Sequence, residues 1–253
     1  MWNIAVNTLK EIIRNKFLYL ILVFALLFII LSVSLWKLTI GESDKVILDF
    51  WMALIEIFGI IWVLFVGSQL LFKEIEWKTI FLILSKPIQR YEFIVWKFLW
   101  FAGVILIITF LQSLLFLWVL FLKNIPIDIL VLFSLFFIVL KLFILIGLVL
   151  FFSTFISPIL TIIITMMVYL ISHSFSILIS LFESFQYLVL VKIASFIQLL
   201  FPPFEALNIK DTIGSFITFE LIYFLSNTLY SIVYLILILL FTCLIFNKKK
   251  FEN

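Results

Sequence analysis

Two ionisable side chains interrupt long apolar stretches of this sequence, and both are candidates for chemistry inside a membrane. Glu56 lies in the apolar run 50–72, and Lys141 is the single charge in residues 129–182. Ionisable groups in such surroundings are costly to bury, so they are functional candidates by default. The two side chains could pair with each other. Alternatively, Glu56 reaches the outer interface and Lys141 binds backbone carbonyls of a neighbouring helix.

A stripe of hydroxyl, phenol and imidazole groups at helical spacing follows Pro158. In a membrane helix such side chains commonly join neighbouring helices by hydrogen bonds. The other interpretation is that they line a substrate path. The stripe consists of Thr161, Thr165, Tyr169, Ser172, His173, Ser176 and Ser180.

Two other chemistries are poorly supported by the side chains in these apolar runs. A metal site would draw on Met166, Met167, His173 and Cys243, whose spacing makes no recognisable site, so no metal ligand is assigned. A membrane-embedded enzyme would need acid, base or nucleophile groups that converge at one depth. Because the runs offer one Glu, one Lys and one His on separate segments, no catalytic residue is predicted.

The composition identifies the surroundings of these residues as lipid. The chain has 253 residues, of which 66% are hydrophobic and 12% charged, and its mean hydropathy is +1.39. A soluble domain is nearer half apolar and a quarter charged, and a small fold has too little core to hide this excess. A single cysteine excludes an intrachain disulfide. Nucleic-acid binding is not indicated, because the chain has no soluble domain with a basic stripe.

The sequence predicts an all-α integral membrane protein with six transmembrane helices. A span needs about 20 apolar residues, and nothing here alternates with the period of two that a membrane barrel requires. Ser157 and Pro158 suit the cap and first turn of a helix, so they divide the longest apolar run. The predicted spans are residues 17–36, 50–72, 98–122, 129–153, 158–182 and 221–246.

Residues 1–16 are predicted to form an interfacial amphipathic helix before the first span. Trp2, Val6, Leu9 and Ile13 recur at spacings of three and four, with polar residues on the other face. The basic start and following apolar run also resemble a signal peptide. The run is longer than the usual core of about 7–15 residues, which favours a retained span.

The distribution of basic residues predicts the orientation of the spans. With a cytoplasmic N-terminus, eleven basic residues fall on the inner side and five on the outer side, which favours both termini in the cytoplasm. The inner set is Lys10, Arg14, Lys16, Lys73, Lys78, Lys86, Arg90, Lys97, Lys248, Lys249 and Lys250, and the outer set is Lys37, Lys45, Lys123, Lys192 and Lys210. A multi-pass protein of the cell membrane is expected.

Two segments between spans carry most of the remaining information. Residues 73–97 form the one sizeable inner loop, predicted as a short helix from Glu74, an elbow at Pro87 and a second helix from about Arg90. This loop is either a docking surface for another protein or a solvated hairpin with snorkelling lysines. Residues 183–220 are predicted outside the membrane, as two short helices on the outer mouth of the bundle or as a re-entrant element.

The inner loop resembles the signature region of ABC-2-type ABC-transporter permeases. The resemblance rests on "EIE" at Glu74, "TI" at Thr79, "LSKP" ending at Pro87, then Arg90 and Glu92. The amphipathic N-terminus and "PPFEALNIKD" before the last span are also similar to that family. The pattern covers nearly the whole chain in layout but is specific only in these three patches. Gln89 departs from it, since a serine is usual there, and this weakens the helix cap.

The resemblance implies a permease subunit whose loop 73–97 is seated on a separate cytoplasmic ATPase. The residues it assigns to coupling are Lys73, Glu74, Glu76, Trp77, Lys78, Thr79, Ser85, Lys86, Pro87, Arg90 and Glu92. The chain has no phosphate-binding glycine loop, so ATP and Mg are expected in the ATPase and no cofactor in this chain. A homodimer or a paired permease subunit is expected, and export is the commoner direction in the family. The alternative is a membrane scaffold or channel that works without an ATPase.

Overall fold

The computed structural model describes residues 43–76, 89–210 and 221–249, and these residues are helical apart from short connections. Five of the described helices are long and apolar enough to cross a membrane, namely all except Leu188–Gln198. The predicted interfacial helix, residues 1–16, and the predicted first span, residues 17–36, lie outside the described residues. The helices are α1 (Ser43–Glu76), α2 (Arg90–Leu122), α3 (Ile129–Ser153), α4 (Pro158–Ser184), α5 (Leu188–Gln198) and α6 (Leu221–Lys248).

The five long helices alternate in direction, which gives the bundle two distinct ends. Arg90, at the start of α2, donates hydrogen bonds to the backbone carbonyls of Asn247 and Lys249 at the end of α6. We call this end, where α1 and α6 finish and α2 begins, the loop end. The opposite end, which carries α5, is called the far end.

Helix α3 occupies the centre of the bundle. It packs against α1, α2, α4 and α6, and it is the most apolar of the five long helices. A helix that is hydrophobic on all sides belongs in the interior rather than on a surface. Lys141 is the middle residue of α3, about 18 Å from either end of that helix at 1.5 Å per residue.

Two glycines of α1 permit its close approach to its neighbours. A Cβ atom built on Gly59 would lie 2.5 Å from Cδ1 of Leu142 on α3. A Cβ atom on Gly67 would lie 2.9 Å from both Phe101 on α2 and Val149 on α3. Small residues let membrane helices approach one another closely, so these glycines set the spacing of α1 in the bundle.

The prediction of a separate helix that begins at Glu74 is wrong. Helix α1 continues without a break through Glu76, so Glu74 lies inside this helix and does not start a new one. Nothing between Phe72 and Glu76 breaks a helix, because the segment contains neither glycine nor proline. The drop in hydropathy after Phe72 therefore marks a change of surroundings and not a helix end.

The other boundaries follow the sequence more closely. Helix α3 has the predicted bounds, and α2 begins at Arg90, as expected for the helix that leads into the third span. Pro158 starts α4 and Ser157 is its N-cap, although the Ser157 side chain makes no capping hydrogen bond. Gln89 likewise caps α2 without a side-chain hydrogen bond.

The segment after α4 turns back into the bundle. Helix α5 lies largely exposed, with Ala194 as its one buried residue. Residues 199–210 then continue mostly without helix, and Phe204, Leu207 and Ile209 are buried in the main apolar core. We call residues 199–210 the inserted segment. Of the two alternatives from the sequence, the described residues have one short helix followed by an element that enters the bundle.

Candidate functional site

A cluster of four polar side chains lies in the middle of the bundle, and we call it the core ion network. Glu56 of α1 accepts a hydrogen bond from the Lys141 ammonium of α3 through Oε1, at 2.8 Å. Tyr169 of α4 donates its hydroxyl to the same oxygen at 3.0 Å. Lys210, at the end of the inserted segment, forms an ion pair with the second oxygen, Oε2. The network thus joins three helices and the inserted segment.

The two members of the central ion pair are among the most enclosed charges in the described chain. Glu56 is 4% exposed and Lys141 is 1% exposed. An isolated charge at such a position would cost several kcal/mol, so each group depends on a partner. Of the alternatives that the sequence left open for Glu56 and Lys141, the structure has the pair.

A second set of contacts lies beside this network, between α4 and the inserted segment. His173 Nδ1 is 2.7 Å from Oε2 of Glu205, and the Ser172 hydroxyl donates to the carbonyl of Pro202. The Tyr169 ring packs edge-on against the His173 ring, with 5.0 Å between centroids. The core ion network and the contacts of the inserted segment therefore form one continuous polar region.

The polar stripe of α4 is buried over part of its length, and Ser180 at its far end is exposed. Thr161, Thr165 and Ser172 are buried, whereas Ser176 and His173 are partly buried. Among the described residues, the hydroxyl groups of Thr161 and Thr165 have no hydrogen-bond partner. The stripe therefore combines contacts to the inserted segment at Ser172 and His173 with packing at the two threonines.

A separate set of charged contacts closes the loop end. Glu74 of α1 and Lys97 of α2 form an ion pair with 2.6 Å between Oε1 and Nζ, and Lys97 is 3% exposed. Lys97 also lies 5.9 Å from the centroid of the Phe93 ring, one turn earlier in α2. This pair holds α1 and α2 together at the two residues from which the loop departs and returns.

The C-terminal residues extend this arrangement to the remaining helices. Besides accepting from Arg90, Lys249 donates its ammonium to the carbonyl of Thr154 at 2.5 Å, just after α3 ends. Partial burial lowers the pKa of the Lys249 ammonium. The contacts of Arg90 and Lys249 thus connect α2, α6 and the α3–α4 connection in one layer, which we call the loop-end layer.

The structure describes only some of the predicted coupling residues. Glu74 forms the ion pair with Lys97, and Arg90 belongs to the loop-end layer. Lys73 and Glu92 are partly exposed, and Glu76 is exposed. The other members of the set lie outside the described residues: Trp77, Lys78, Thr79, Ser85, Lys86 and Pro87.

Sequence reasoning missed Lys210 and Glu205 as partners of the intramembrane residues. Both were placed with a segment outside the membrane, since two prolines and scattered charges interrupt its apolar patch. A signal was present, however. The acid Glu205 and the base Lys210 lie within six residues of each other, among the apolar residues Phe204, Leu207 and Ile209. If these apolar residues are buried, the two charges are buried with them and need partners of opposite sign.

The described residues contain no group of three or more His, Cys, Asp or Glu side chains that could hold a metal ion. Met166 and Met167 are exposed, and Cys243 on α6 is partly exposed. No protein-family model matches the chain, and a search of curated proteins finds no match. The function is therefore inferred from the sequence pattern and the geometry of these two polar regions.

Proposed function

We propose that this chain is the membrane-spanning permease subunit of an ATP-driven ABC transporter, which exports its substrate. The loop 73–97 docks on a separate cytoplasmic ATPase, which binds ATP and Mg. The loop end then faces the cytoplasm, with both termini, and the protein resides in the cell membrane. The charge distribution of the sequence and its resemblance to ABC-2-type permeases support this orientation and role.

The observation that carries the proposal is the Glu74–Lys97 ion pair at the base of the loop. A docking loop transmits force only when its two ends are fixed to the elements that must move. The 2.6 Å contact fixes α1 to α2 at those ends, and burial of Lys97 shields the contact from water. A displacement of the loop would therefore move both helices together.

The loop-end layer supplies a route from the loop to the rest of the bundle. Arg90 connects α2 to the end of α6, and Lys249 continues from α6 to the backbone at Thr154. A solvated hairpin with no mechanical role would not require its neighbours to be joined in this way. The described part of the loop-end layer therefore favours docking over the passive hairpin.

A second permease subunit completes the proposal. Six spans are few for enclosing a substrate path in one chain, which favours a homodimer or a paired permease. Helices α4 and α6 are the least buried of the five long helices within this chain. Their exposed apolar faces are available to lipid and to the second subunit.

The proposal is tested by affinity purification of the tagged protein from gently solubilised native membranes, with mass spectrometry of the accompanying proteins. A stoichiometric ATPase with a phosphate-binding glycine loop is expected. The double variant Lys78→Glu and Lys86→Glu should lower its recovery by about tenfold or more, equivalent to about 1.4 kcal/mol of binding free energy. Arg90 is left unchanged, because its contacts with α6 make its reversal a structural change as well.

The matched control is Lys192→Glu, which reverses an exposed lysine on α5 at the far end. This variant should retain the ATPase at the level of the unmodified protein. If the unmodified protein purifies intact without an ATPase, the permease assignment fails and the ATP-independent scaffold or channel takes its place.

A further inference from the structure

Positive charge is concentrated where α2 begins and α6 ends, and we call this part of the loop end the cationic corner. Arg90 is the first residue of α2, Lys248 is the last residue of α6, and Lys249 follows it. Among the described residues of these two helix ends, Glu92 is the one carboxylate, so three cations stand with a single negative charge. Lys248 is exposed, and Arg90 and Lys249 are partly exposed, so all three have surface that a ligand can reach.

The end of α1 has no such excess of positive charge. Lys73 lies in the same turns of α1 as Glu74 and Glu76, and Glu74 is paired with Lys97 of α2. Two cations and two carboxylates thus balance each other there. Within the described part of the loop end, an anionic ligand is therefore attracted to the cationic corner and not to the end of α1.

Contacts between α2 and α6 hold the two helix ends side by side at one level of the bundle. Arg90 donates hydrogen bonds to backbone carbonyls at the end of α6. The next contact towards the far end is the stacking of Phe93 on Phe246, with 5.8 Å between ring centroids. Cys243 Sγ of α6 lies 3.9 Å from the carbonyl oxygen of Tyr91. The cations therefore form one layer, with apolar and aromatic side chains directly beside it.

Exposed apolar side chains continue from the cationic corner along both helices. On α2 they recur at every fourth position, at Tyr91, Val95 and Leu99, and on α6 they include Leu240 and Leu244. We call these five residues the α2–α6 surface. Leu99 is nine residues after the start of α2, about 14 Å at 1.5 Å per residue. Since the hydrocarbon core of a bilayer is about 30 Å thick, the surface is as deep as one leaflet.

Aromatic side chains mark the boundary between the cationic corner and the α2–α6 surface. Tyr91 and Trp96, both near the start of α2, are exposed. Tyrosine and tryptophan side chains are enriched at the headgroup level of membranes, which places the cationic corner beside the lipid phosphates. Basic pockets between membrane helices bind anionic lipid headgroups. The cations, the aromatic belt and the apolar stripe thus match, in order, the parts of one phospholipid.

From this match we propose that the cationic corner and the α2–α6 surface together bind an anionic glycerophospholipid. The Lys248 ammonium contacts the phosphate, the charges of Arg90 and Lys249 attract it, and an acyl chain lies along the α2–α6 surface. Under the proposed function, on which only the choice of leaflet rests, this lipid belongs to the cytoplasmic leaflet. Because Arg90 and Lys249 also form the loop-end layer, the lipid is bound where the helices beside the loop are joined.

The test is native mass spectrometry of the full chain from detergent micelles that contain equal amounts of phosphatidylglycerol and phosphatidylcholine. The unmodified chain should retain phosphatidylglycerol at least about fivefold over phosphatidylcholine, since one cation near an anionic headgroup contributes about that factor. Lys248→Ala should lower the retention of phosphatidylglycerol about fivefold, and Lys248→Arg, which keeps the charge, should retain it. The matched control is Lys192→Ala, which removes an exposed lysine on α5 and should change nothing.

Cys243 reports whether the lipid lies on the α2–α6 surface. It is the single cysteine of the chain, is partly exposed and lies beside Tyr91. N-ethylmaleimide should label it more slowly in phosphatidylglycerol nanodiscs than in phosphatidylcholine nanodiscs, and Lys248→Ala should remove most of this difference. The reporter Leu122→Cys with Cys243→Ser, exposed at the far end of α2, measures the effect of lipid charge alone on a thiol and should slow less.

Three results would overturn the proposal of a lipid site. They are equal retention of the two lipids, an equal loss in Lys192→Ala and Lys248→Ala, and equal slowing of the two thiols. Displacement of phosphatidylglycerol by an excess of inorganic phosphate would also contradict it, because the ligand would then be a free anion. None of these measurements involves an ATPase, so their failure leaves the permease assignment to its own test.

Discussion

Replacing Glu56 with leucine should destabilise the protein by about 3–5 kcal/mol, the usual cost of breaking a buried ion pair on one side. The substitution leaves the Lys141 ammonium, which is 1% exposed, and the Lys210 ammonium without their shared carboxylate. The Tyr169 hydroxyl loses its acceptor as well. The free energy of unfolding is measured by titration with a denaturing detergent, followed through tryptophan fluorescence.

The combined variant Glu56→Leu, Lys141→Met and Lys210→Met should recover most of this loss. Apolar side chains of similar volume often replace a buried ion pair at little cost. Glu183→Leu serves as the control, since that carboxylate is exposed at the end of α4 and should contribute little. Equal stability of Glu56→Leu and Glu183→Leu would show that the core ion network does not hold the bundle together.

Replacing Lys97 with methionine should destabilise the protein by about 1–3 kcal/mol, the cost of leaving a polar partner unsatisfied. The change removes the ammonium from the Glu74 carboxylate and from the carbonyl of Leu70 in α1, which lies 3.5 Å away. The effect should be smaller than that of Glu56→Leu, because Glu74 is partly exposed and water can replace some of the lost contact. The same detergent titration measures it.

Lys73→Met is the matched control for this position. Lys73 lies one residue before Glu74 in α1, is partly exposed and makes no ion pair with another described residue. Its replacement should change the free energy of unfolding by less than about 0.5 kcal/mol, as is usual for surface positions. A loss at Lys73 that equals the loss at Lys97 would refute the assignment of the Glu74–Lys97 pair as the fastening between α1 and α2.

Hydropathy was sufficient to locate the described long helices but not to predict the residues at which they end. The bounds of α3 could be predicted because Asp128 and the Ser157–Pro158 pair flank an uninterrupted apolar run. At the end of α1 the apolar run stops at Phe72 while helix-compatible residues continue to Glu76. The hydropathy of a segment indicates whether it lies in lipid or in water, whereas a helix ends only where a capping or helix-breaking residue stops it.

The ion pair between Glu56 and Lys141 could be suggested from the sequence but not established. Counting residues from the predicted helix ends placed the two groups about 9 Å apart in depth at 1.5 Å per residue. That count assumes helices with level ends, and the described part of α1 already extends seven residues before the predicted span. Which helices are neighbours follows from tertiary packing, and no pattern along one chain specifies it.

The partners supplied by the inserted segment could not be predicted in the same way. Lys210 and Glu205 lie in a stretch whose prolines and charges are typical of a connection between spans. Its burial depends on Phe204 entering the core beside Tyr169, a contact between residues 35 positions apart. Local sequence patterns contain no information about a contact at this separation.

The most direct test of the proposed coupling is photo-cross-linking from the loop in native membranes. A benzophenone amino acid is placed at position 77 in the loop or, as the control, at Trp118, an exposed residue towards the far end of α2. The account predicts an adduct from position 77 whose partner carries a phosphate-binding glycine loop, and no such adduct from position 118. It would be contradicted if the position-77 probe, at full expression, formed adducts only with its own chain and lipid.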